Sequence, residues 1–125
     1  KNNPKLYQYA CLTNFDETYT PENVDLALDF ARKIKYVYKT QDMYSLANIL
    51  TYPVYVNNYK QKNIVINTPK EFLMLDKNII MNKSIFNEID NNSLFWNWCG
   101  YMLGNGRIWF FSNKNISNIV INIDK

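Results

Sequence analysis

Residues 100–110 constrain the fold of this chain more than any other stretch, because they predict a β-hairpin. Asn105 and Gly106 form the residue pair that a two-residue type I′ turn prefers, since both central positions of that turn have positive φ. Apolar residues flank the pair on both sides, as expected for two strands joined by a tight turn. A turn at this position predicts that Leu103 pairs with Ile108.

Both faces of the predicted hairpin are apolar. Strand side chains alternate between the two faces of a sheet, and one face therefore carries Tyr101, Leu103, Ile108 and Phe110. The opposite face carries Trp98, Met102, Trp109 and Phe111. A sheet with one face in water would alternate apolar with polar residues. We therefore expect the hairpin to be covered twice, by the chain's own helices on one face and by a second copy, a partner or a ligand on the other.

The first half of the chain predicts two helices and two strands. Thr20-Pro21 is a capping residue followed by proline at the first helical position. The helix that follows has an apolar stripe of Ala27, Phe30, Ala31, Ile34, Val37 and Tyr38. A second helix is predicted over residues 41–50, capped by Thr40 or Asp42. Strands are predicted over residues 52–57 and 62–66.

The second half of the chain predicts helix and then an antiparallel meander. Thr68 and Glu71 form a capping box, and the helix that they begin is expected to carry Phe72, Leu73, Leu75 and Ile79 toward the interior. A further turn of helix over residues 84–89 precedes the hairpin strands of residues 94–112. A last strand over residues 116–123 is expected to close the sheet.

These elements predict an α+β fold with N-terminal helices packed on a curved antiparallel sheet. Residues 1–19 lack periodicity and are predicted to form an extended N-terminal arm, and residues 20–125 a single domain. Cys11 and Cys99 permit one disulfide bond between the arm and the sheet, or they remain two thiols. The sequence leaves both alternatives open.

Composition excludes several classes of function. The net charge is +3, and the lysines are scattered rather than clustered, which argues against nucleic-acid binding. No run of about 18 apolar residues suggests a membrane span. The chain has no histidine, and neither the spacing of its cysteines nor that of its carboxylates is typical of a metal site. We expect no cofactor and no metal.

Three motifs resemble the NTF2-like superfamily. They are Tyr52-Pro53 after the second helix, the helix start from Asn67 to Phe72, and the Met-Leu-Gly-Asn-Gly hairpin at residues 102–106. The resemblance covers residues 22–123 and is greatest to small bacterial NTF2-like proteins, which are often exported. It implies a conical pocket between helices and sheet, frequent dimerisation through the outer sheet face, and a periplasmic or secreted location, with the cytoplasm as the alternative.

Candidate site residues fall into two groups. The pocket candidates are Asn97, Tyr52, Tyr55, Tyr101 and Asp76. Asn97 leads this group, because an amide among apolar strand neighbours needs a hydrogen-bonding partner if it is buried. The candidates for a partner or dimer face are Trp96, Trp98, Met102, Arg107, Trp109 and Phe111. Arg107 lies beside the turn and is expected to be exposed.

Catalysis in the NTF2-like superfamily uses an Asp or an Asp–His pair together with tyrosines, as the resemblance implies. This chain lacks histidine, and its predicted strands carry no carboxylate before the C-terminus. No catalytic residue is assigned. The sequence favours a non-catalytic module that binds a protein partner through the sheet face or pocket mouth, with a toxin-immunity protein as one such role. The alternative is a carrier or enzyme that acts on a small apolar ligand in the pocket.

Overall fold

The computed structural model describes residues 20–97, 100–111 and 115–121. Its helices are α1 (Pro21–Thr40), α2 (Met43–Ala47), α3 (Pro69–Phe72), α4 (Lys77–Ile80) and α5 (Lys83–Asn91). Its strands are β1 (Leu50–Tyr59), β2 (Lys62–Ile66), β3 (Phe95–Asn97), β4 (Gly100–Leu103), β5 (Ile108–Phe110) and β6 (Ile116–Val120). No helix in the described ranges has the length and apolar character to cross a membrane. The predicted arm, Cys11, Cys99 and Trp98 lie outside the described residues.

Helix α1 begins where the sequence predicts. The hydroxyl oxygen of Thr20 accepts a hydrogen bond from the N–H of Asn23 at 3.1 Å, and proline follows the cap. The helix ends at Gln41, which adopts the left-handed conformation with φ of +57°. The predicted apolar stripe is buried except for Phe30, which is half-buried. The stripe therefore anchors α1 to the core.

The second predicted helix is shorter than expected. Helix α2 ends at Ala47, and its cap is Asp42, whose carboxylate accepts from the N–H of Ser45 at 3.1 Å. Strand β1 then begins at Leu50 and contains Pro53 in its first half. The pairing of β1 with β6 is irregular between Leu50 and Tyr55, which accommodates a residue that cannot donate to a strand ladder.

The single helix predicted after Thr68 is wrong, although its start is confirmed. Thr68 accepts from the N–H of Glu71 at 3.1 Å, and the Glu71 carboxylate accepts from the N–H of Asn67 at 2.8 Å. The chain then forms two short helices, because the Asp76 N–H donates to the Tyr59 hydroxyl at 2.9 Å instead of continuing the helical ladder. Phe72 is buried, whereas Leu73, Leu75 and Ile79 are half-buried.

The described strands form one six-stranded sheet in the order β2-β1-β6-β5-β4-β3. An α+β fold is therefore confirmed. The expectation of a wholly antiparallel sheet is wrong, because β1 and β6 pair in parallel while the other neighbours are antiparallel. The last strand, β6, lies in the middle of the sheet between β1 and β5. It is antiparallel to β5 and parallel to β1.

The hairpin of β4 and β5 has the predicted register. Leu103 pairs with Ile108, and Tyr101 with Phe110. Asn105 and Gly106 have φ values of +58° and +91°, as a type I′ turn requires. The Arg107 N–H donates to the Gly104 carbonyl at 3.3 Å, which closes the turn.

The hairpin is buried on both faces, but the expectation that a second copy, a partner or a ligand covers the outer face is wrong. Tyr101, Leu103, Ile108 and Phe110 are fully buried on the face that meets the helices. On the opposite face Trp109 is only 1% exposed, Phe111 is buried and Met102 is half-buried. Both faces of the hairpin are thus covered without a second molecule.

Candidate functional site

A row of aromatic rings crosses the molecule from α1 to the β3 end of the sheet. Phe30 of α1 meets Phe110 edge-on, with ring centroids 5.0 Å apart. Phe110 stacks on Tyr101 at 5.6 Å, and Tyr101 meets Trp96 at 5.9 Å with the planes 64° apart. These spacings lie within the range in which aromatic pairs attract. The row is therefore a packed unit that fixes the position of Trp96.

The outer end of this row is exposed. Trp96 is 45% exposed and its neighbour Phe95 is 56% exposed, whereas Tyr101 and Phe110 are buried. Trp96 pairs with Tyr101 and Phe95 pairs with Met102, so the two exposed rings lie on opposite faces of β3. We call Phe95 and Trp96 the aromatic edge, since β3 is the last strand of the described sheet.

The aromatic edge has no charged residue to protect it. The chain carries no Asp, Glu, Lys or Arg between Asp90 and Arg107. Exposed strand edges offer unpaired N–H and C=O groups, and proteins commonly guard them with lysine or proline. β3 has neither. The described part of this edge therefore lacks the side chains that usually discourage pairing with another chain.

A small cavity lies beside the aromatic edge, between α1 and the segment that leads into β3. Its volume is about 240 Å³, and it is lined by Leu28, Ala31, Arg32, Lys35, Ser93, Leu94 and Leu103. Arg32 forms an ion pair with Asp29 at 2.6 Å, which offsets its charge. Lys35 is half-buried, and the part of the chain that the structure describes gives it no carboxylate partner. The cavity therefore has an apolar floor and a positive rim.

The predicted pocket residues are not brought together. Tyr52 donates its hydroxyl hydrogen to the carbonyl of Ala47 at 2.7 Å, and burial raises the pKa of this phenol. Tyr55 is half-buried and, by strand register, shares a face with Trp109 rather than with Tyr101. These tyrosines therefore do not surround one ligand.

Of the two remaining pocket candidates, only the side chain of Asp76 belongs to the described part of the structure. Asp76 is exposed, and its carboxylate accepts from the N–H of Asn78 at 2.9 Å as the cap of α4. The backbone of Asn97 lies in β3, but its side chain lies outside the described part of the structure. Its predicted role stays a prediction.

The predicted partner face needs correction at three positions. Arg107 was expected to be exposed, but only 5% of it is accessible, because its guanidinium donates to the carbonyl of Ile121 at 2.9 Å. Trp109 and Phe111 are buried within the chain, and the indole N–H of Trp109 donates to the carbonyl of Gly106 at 2.9 Å. Trp96 is the one large side chain of the predicted face that the described structure leaves exposed, while Met102 is half-buried.

The sequence interpretation missed Phe95, which is more exposed than Trp96. Its exposure follows from its place in the sheet rather than from its residue type, because β3 is the last strand of the described sheet. The order of the strands sets this, and local periodicity does not reveal it. Lys35 and the cavity beneath it were missed for the same reason.

No cluster of three or more histidine, cysteine, aspartate or glutamate side chains within the described ranges could hold a metal ion. The hydroxyl of Tyr38 is fully buried without a hydrogen-bonding partner, and burial raises its pKa. A phenol held neutral among apolar side chains lacks the neighbouring base that general acid–base catalysis requires.

Comparison of the chain with protein-family models, with curated proteins and with solved structures finds no match in any of the three. The geometry of the aromatic edge and of the adjoining cavity therefore provides the basis for a functional assignment.

Proposed function

We propose that this chain is a non-catalytic, NTF2-like binding module that recognises a protein partner through the aromatic edge. The observation that carries the proposal is the exposure of two neighbouring aromatic rings, Phe95 and Trp96, on opposite faces of an uncharged terminal strand. Leaving such rings in water forfeits the free energy that their burial would supply. A partner that covers them recovers it.

A protein partner suits this surface better than a small molecule does. A terminal strand offers backbone hydrogen bonds to an added strand, and side chains on its two faces give specificity. Tryptophan is also among the residues that contribute most to binding energy at interfaces. Since Trp96 is held by the buried Tyr101, it loses little conformational freedom on binding.

The charge near the edge favours a partner segment with carboxylates. Lys35, which has no carboxylate partner among the described residues, lines the cavity beside β3, and the whole chain carries a net charge of +3. Complementary charge raises the rate of association and helps to exclude wrong partners. We infer that the partner presents an extended apolar segment with acidic residues next to it.

The assignment to the NTF2-like superfamily is part of this proposal. It is supported by the motifs at Tyr52-Pro53, residues 67–72 and residues 102–106, together with two helices that precede the first strand of a mixed sheet. Immunity against a toxin, in the periplasm or outside the cell, is one role that a small non-catalytic module of this kind would perform. A homodimer is the competing occupant of the same edge.

The test uses two positions of matched exposure. A photo-crosslinking phenylalanine derivative is placed at Phe95 or at Val65, which is 49% exposed on β2 at the opposite end of the sheet. Proteins captured in the native host are identified and purified, and their affinity for the Phe95→Lys and Val65→Lys variants is measured. We expect capture at position 95 only, and a loss of affinity of roughly 30-fold for Phe95→Lys.

Two results would overturn this proposal. Equal capture at both positions, followed by equal affinities, would show that β3 has no special role. Capture of a second copy of the chain at position 95, with sedimentation velocity giving a dimer, would replace the foreign partner with self-association.

The cavity beside α1 supports a second candidate function, that of a carrier for a small ligand. Its floor of Ala31, Leu94 and Leu103 is apolar, and its rim is positive, which suits a small apolar molecule with an anionic head group. Its volume of about 240 Å³ lies below the roughly 300–1,000 Å³ of typical ligand pockets. Native mass spectrometry of wild type and of Ala31→Leu tests this role: a retained small-molecule mass that Ala31→Leu abolishes supports the carrier.

A further inference from the structure

The cavity beside α1 and the exposed ring of Trp96 lie on the same side of the sheet. Leu94, which lines the cavity, directly precedes β3. Leu103, which also lines it, lies two residues after Tyr101 on β4, and Tyr101 pairs with Trp96. Since residues two apart in a strand share a face and paired residues do so too, the cavity adjoins the face of the aromatic edge that α1 covers.

The wall that α1 contributes to this cavity combines apolar and cationic side chains. Leu28, Arg32 and Lys35 are spaced by four and three residues and therefore lie on one face of the helix. Leu28 is 37% exposed, and Lys35 is half-buried. The charge of Arg32 is offset by its ion pair with Asp29. The wall therefore offers apolar contact and, at Lys35, one positive charge.

The volume of the cavity suits one large apolar side chain. It is about 240 Å³, and an apolar protein cavity of about 150 Å³ holds a benzene molecule. Pockets for whole drug-sized ligands are larger, at roughly 300–1,000 Å³. A single phenylalanine or leucine side chain would therefore occupy much of this cavity.

A segment that pairs with β3 reaches the cavity without leaving the aromatic edge. In an extended segment every second side chain points to the same face, and such side chains are about 7 Å apart. When one of them enters the cavity, the next one on that face lies near its rim. A carboxylate at this second position complements the charge of Lys35.

We propose that the cavity accepts one large apolar side chain of the protein partner and that Lys35 pairs with a carboxylate two residues away from that side chain. This inference rests on the proposed function, because a segment paired with β3 is what carries the two groups to the cavity. It adds a sequence requirement for the partner: phenylalanine or leucine, with aspartate or glutamate two positions away. Both groups belong to one extended segment, which distinguishes this site from a carrier site for a free anionic molecule.

The test is a titration of the full chain with capped five-residue peptides, followed by amide resonances in ¹H–¹⁵N spectra at constant ionic strength. The parent peptide has phenylalanine at its centre, glutamate at both ends and threonine between them, so that either strand direction places a carboxylate near Lys35. Matched peptides replace phenylalanine with alanine, or both glutamates with glutamine. 3-Phenylpropanoate supplies the ring and the carboxylate without a peptide backbone.

We expect saturable shifts at Leu28, Ala31 and Leu94 with the parent peptide. Replacement of phenylalanine by alanine should weaken binding by roughly tenfold or more, because the apolar burial is lost. Replacement of both glutamates by glutamine should weaken it by roughly threefold, as expected for a partly solvated ion pair. 3-Phenylpropanoate should bind more weakly than the parent peptide.

Variants of the chain assign these effects to the cavity. Ala31→Leu fills the cavity, and the phenylalanine and alanine peptides should then bind equally. Lys35→Gln, which leaves the core unchanged, should weaken the parent peptide by roughly threefold and leave the glutamine peptide unaffected. The matched control Lys33→Gln, an exposed lysine on the same helix that does not line the cavity, should change either affinity by less than about 1.5-fold.

Failure of this inference and failure of the proposed function give different results. Absence of peptide binding, equal affinities of the phenylalanine and alanine peptides for wild type, or equal effects of Lys35→Gln and Lys33→Gln would each overturn the role of the cavity. Binding of 3-phenylpropanoate as tightly as the parent peptide would overturn it in favour of a carrier. The aromatic edge is decided separately, by the capture of a partner at position 95.

Discussion

The two ends of the sheet are built differently, and this difference is the basis of the proposed binding surface. At one end, β2 carries Lys62 and Asn63 in solvent, and the turn before it contains Lys60, whose ammonium lies 5.6 Å from the ring centre of Tyr59. At the other end, β3 exposes Phe95 and Trp96 and has no charge. The first end has the charge that discourages pairing with another chain, and the second lacks it.

The turns near the two ends also differ in the residues that occupy their positive φ positions. The β4–β5 turn uses Asn105 and Gly106 at its positive φ positions, whereas the β1–β2 turn places Lys60 and Gln61 at φ of +50° and +67°. Side chains other than those of asparagine and aspartate are strained in this region, which glycine adopts freely. The β1–β2 end thus tolerates strain at an exposed loop, while the β4–β5 hairpin near the aromatic edge is built from residues that suit their conformation.

The largest expected effect concerns a buried ring of the aromatic row and an exposed ring of the aromatic edge. Phe110→Ala removes a fully buried ring that contacts Phe30 and Tyr101, and we expect the free energy of unfolding to fall by about 3–5 kcal/mol. Phe95→Ala, at the exposed edge, should lower it by less than about 1 kcal/mol. Urea unfolding of both variants checks this. Equal losses would mean that Phe95 is a structural residue and would remove it from the binding surface.

The next effect concerns the hairpin turn. Gly104 has φ of +67°, and a Cβ added there would lie 2.9 Å from the Cγ1 of the buried Ile89. Gly104→Ala should therefore cost about 2–3 kcal/mol, from the left-handed backbone and the contact together. The comparison is Gly104→Ala in an Ile89→Ala background, where the Cγ1 that the added Cβ would meet is removed. A variant as stable as wild type would contradict the packing of α5 on this turn.

A smaller effect of opposite sign is expected at the β1–β2 turn. Gln61→Gly removes backbone strain of about 1–2 kcal/mol in the left-handed conformation. The added glycine raises the entropic cost of folding by about 0.5–1 kcal/mol. The net gain in the free energy of unfolding should be about 0.5 kcal/mol. Lys62→Gly, one residue along in regular strand, should destabilise instead. Thermal unfolding of the two variants measures the contrast, and a loss of stability in both would remove the inference of strain.

The smallest effect is a pH dependence at the start of α2. Hydrogen bonds from the Ser45 hydroxyl, at 2.7 Å, and from the Ser45 N–H hold the pKa of the Asp42 carboxyl below its ordinary value. A carboxyl with a depressed folded pKa adds stability above its unfolded pKa of about 3.9, and this stability is lost as the pH falls through the folded pKa.

The Asp42→Asn variant tests this dependence. We expect wild type to exceed the variant in stability at neutral pH, and the difference to shrink as the pH falls below about 4. Asp25→Asn, on the exposed face of α1, controls for the loss of one negative charge. A difference that does not change with pH would contradict the assigned hydrogen bonds.

The sequence predicted those elements whose signals are local. The caps at Thr20 and Thr68, the stripe of α1 and the register of Leu103 with Ile108 all follow from residues close together in the chain. Sheet order does not, because the insertion of β6 between β1 and β5 depends on contacts between distant segments. The same limit explains the candidate site: Trp96 was named, but the burial of Trp109 and Arg107 depends on how distant segments pack.

The break between α3 and α4 is a further feature that depends on a contact between distant residues. The apolar spacing from Phe72 to Ile79 suits a helix, and no local signal predicts that the Asp76 N–H donates to Tyr59, which lies 17 residues earlier. The interaction moves Asp76 from a helix face to a cap. A predicted pocket residue thus became a structural one.

The most direct test of the account is the affinity of the purified partner, captured at position 95, for the Phe95→Lys and Val65→Lys variants. The two positions are 56% and 49% exposed and lie on the terminal strands at opposite ends of the sheet. We predict a loss of roughly 30-fold for Phe95→Lys and a change below about threefold for Val65→Lys. Equal losses, or a larger loss for Val65→Lys, would contradict the claim that the uncharged β3 end is the binding surface.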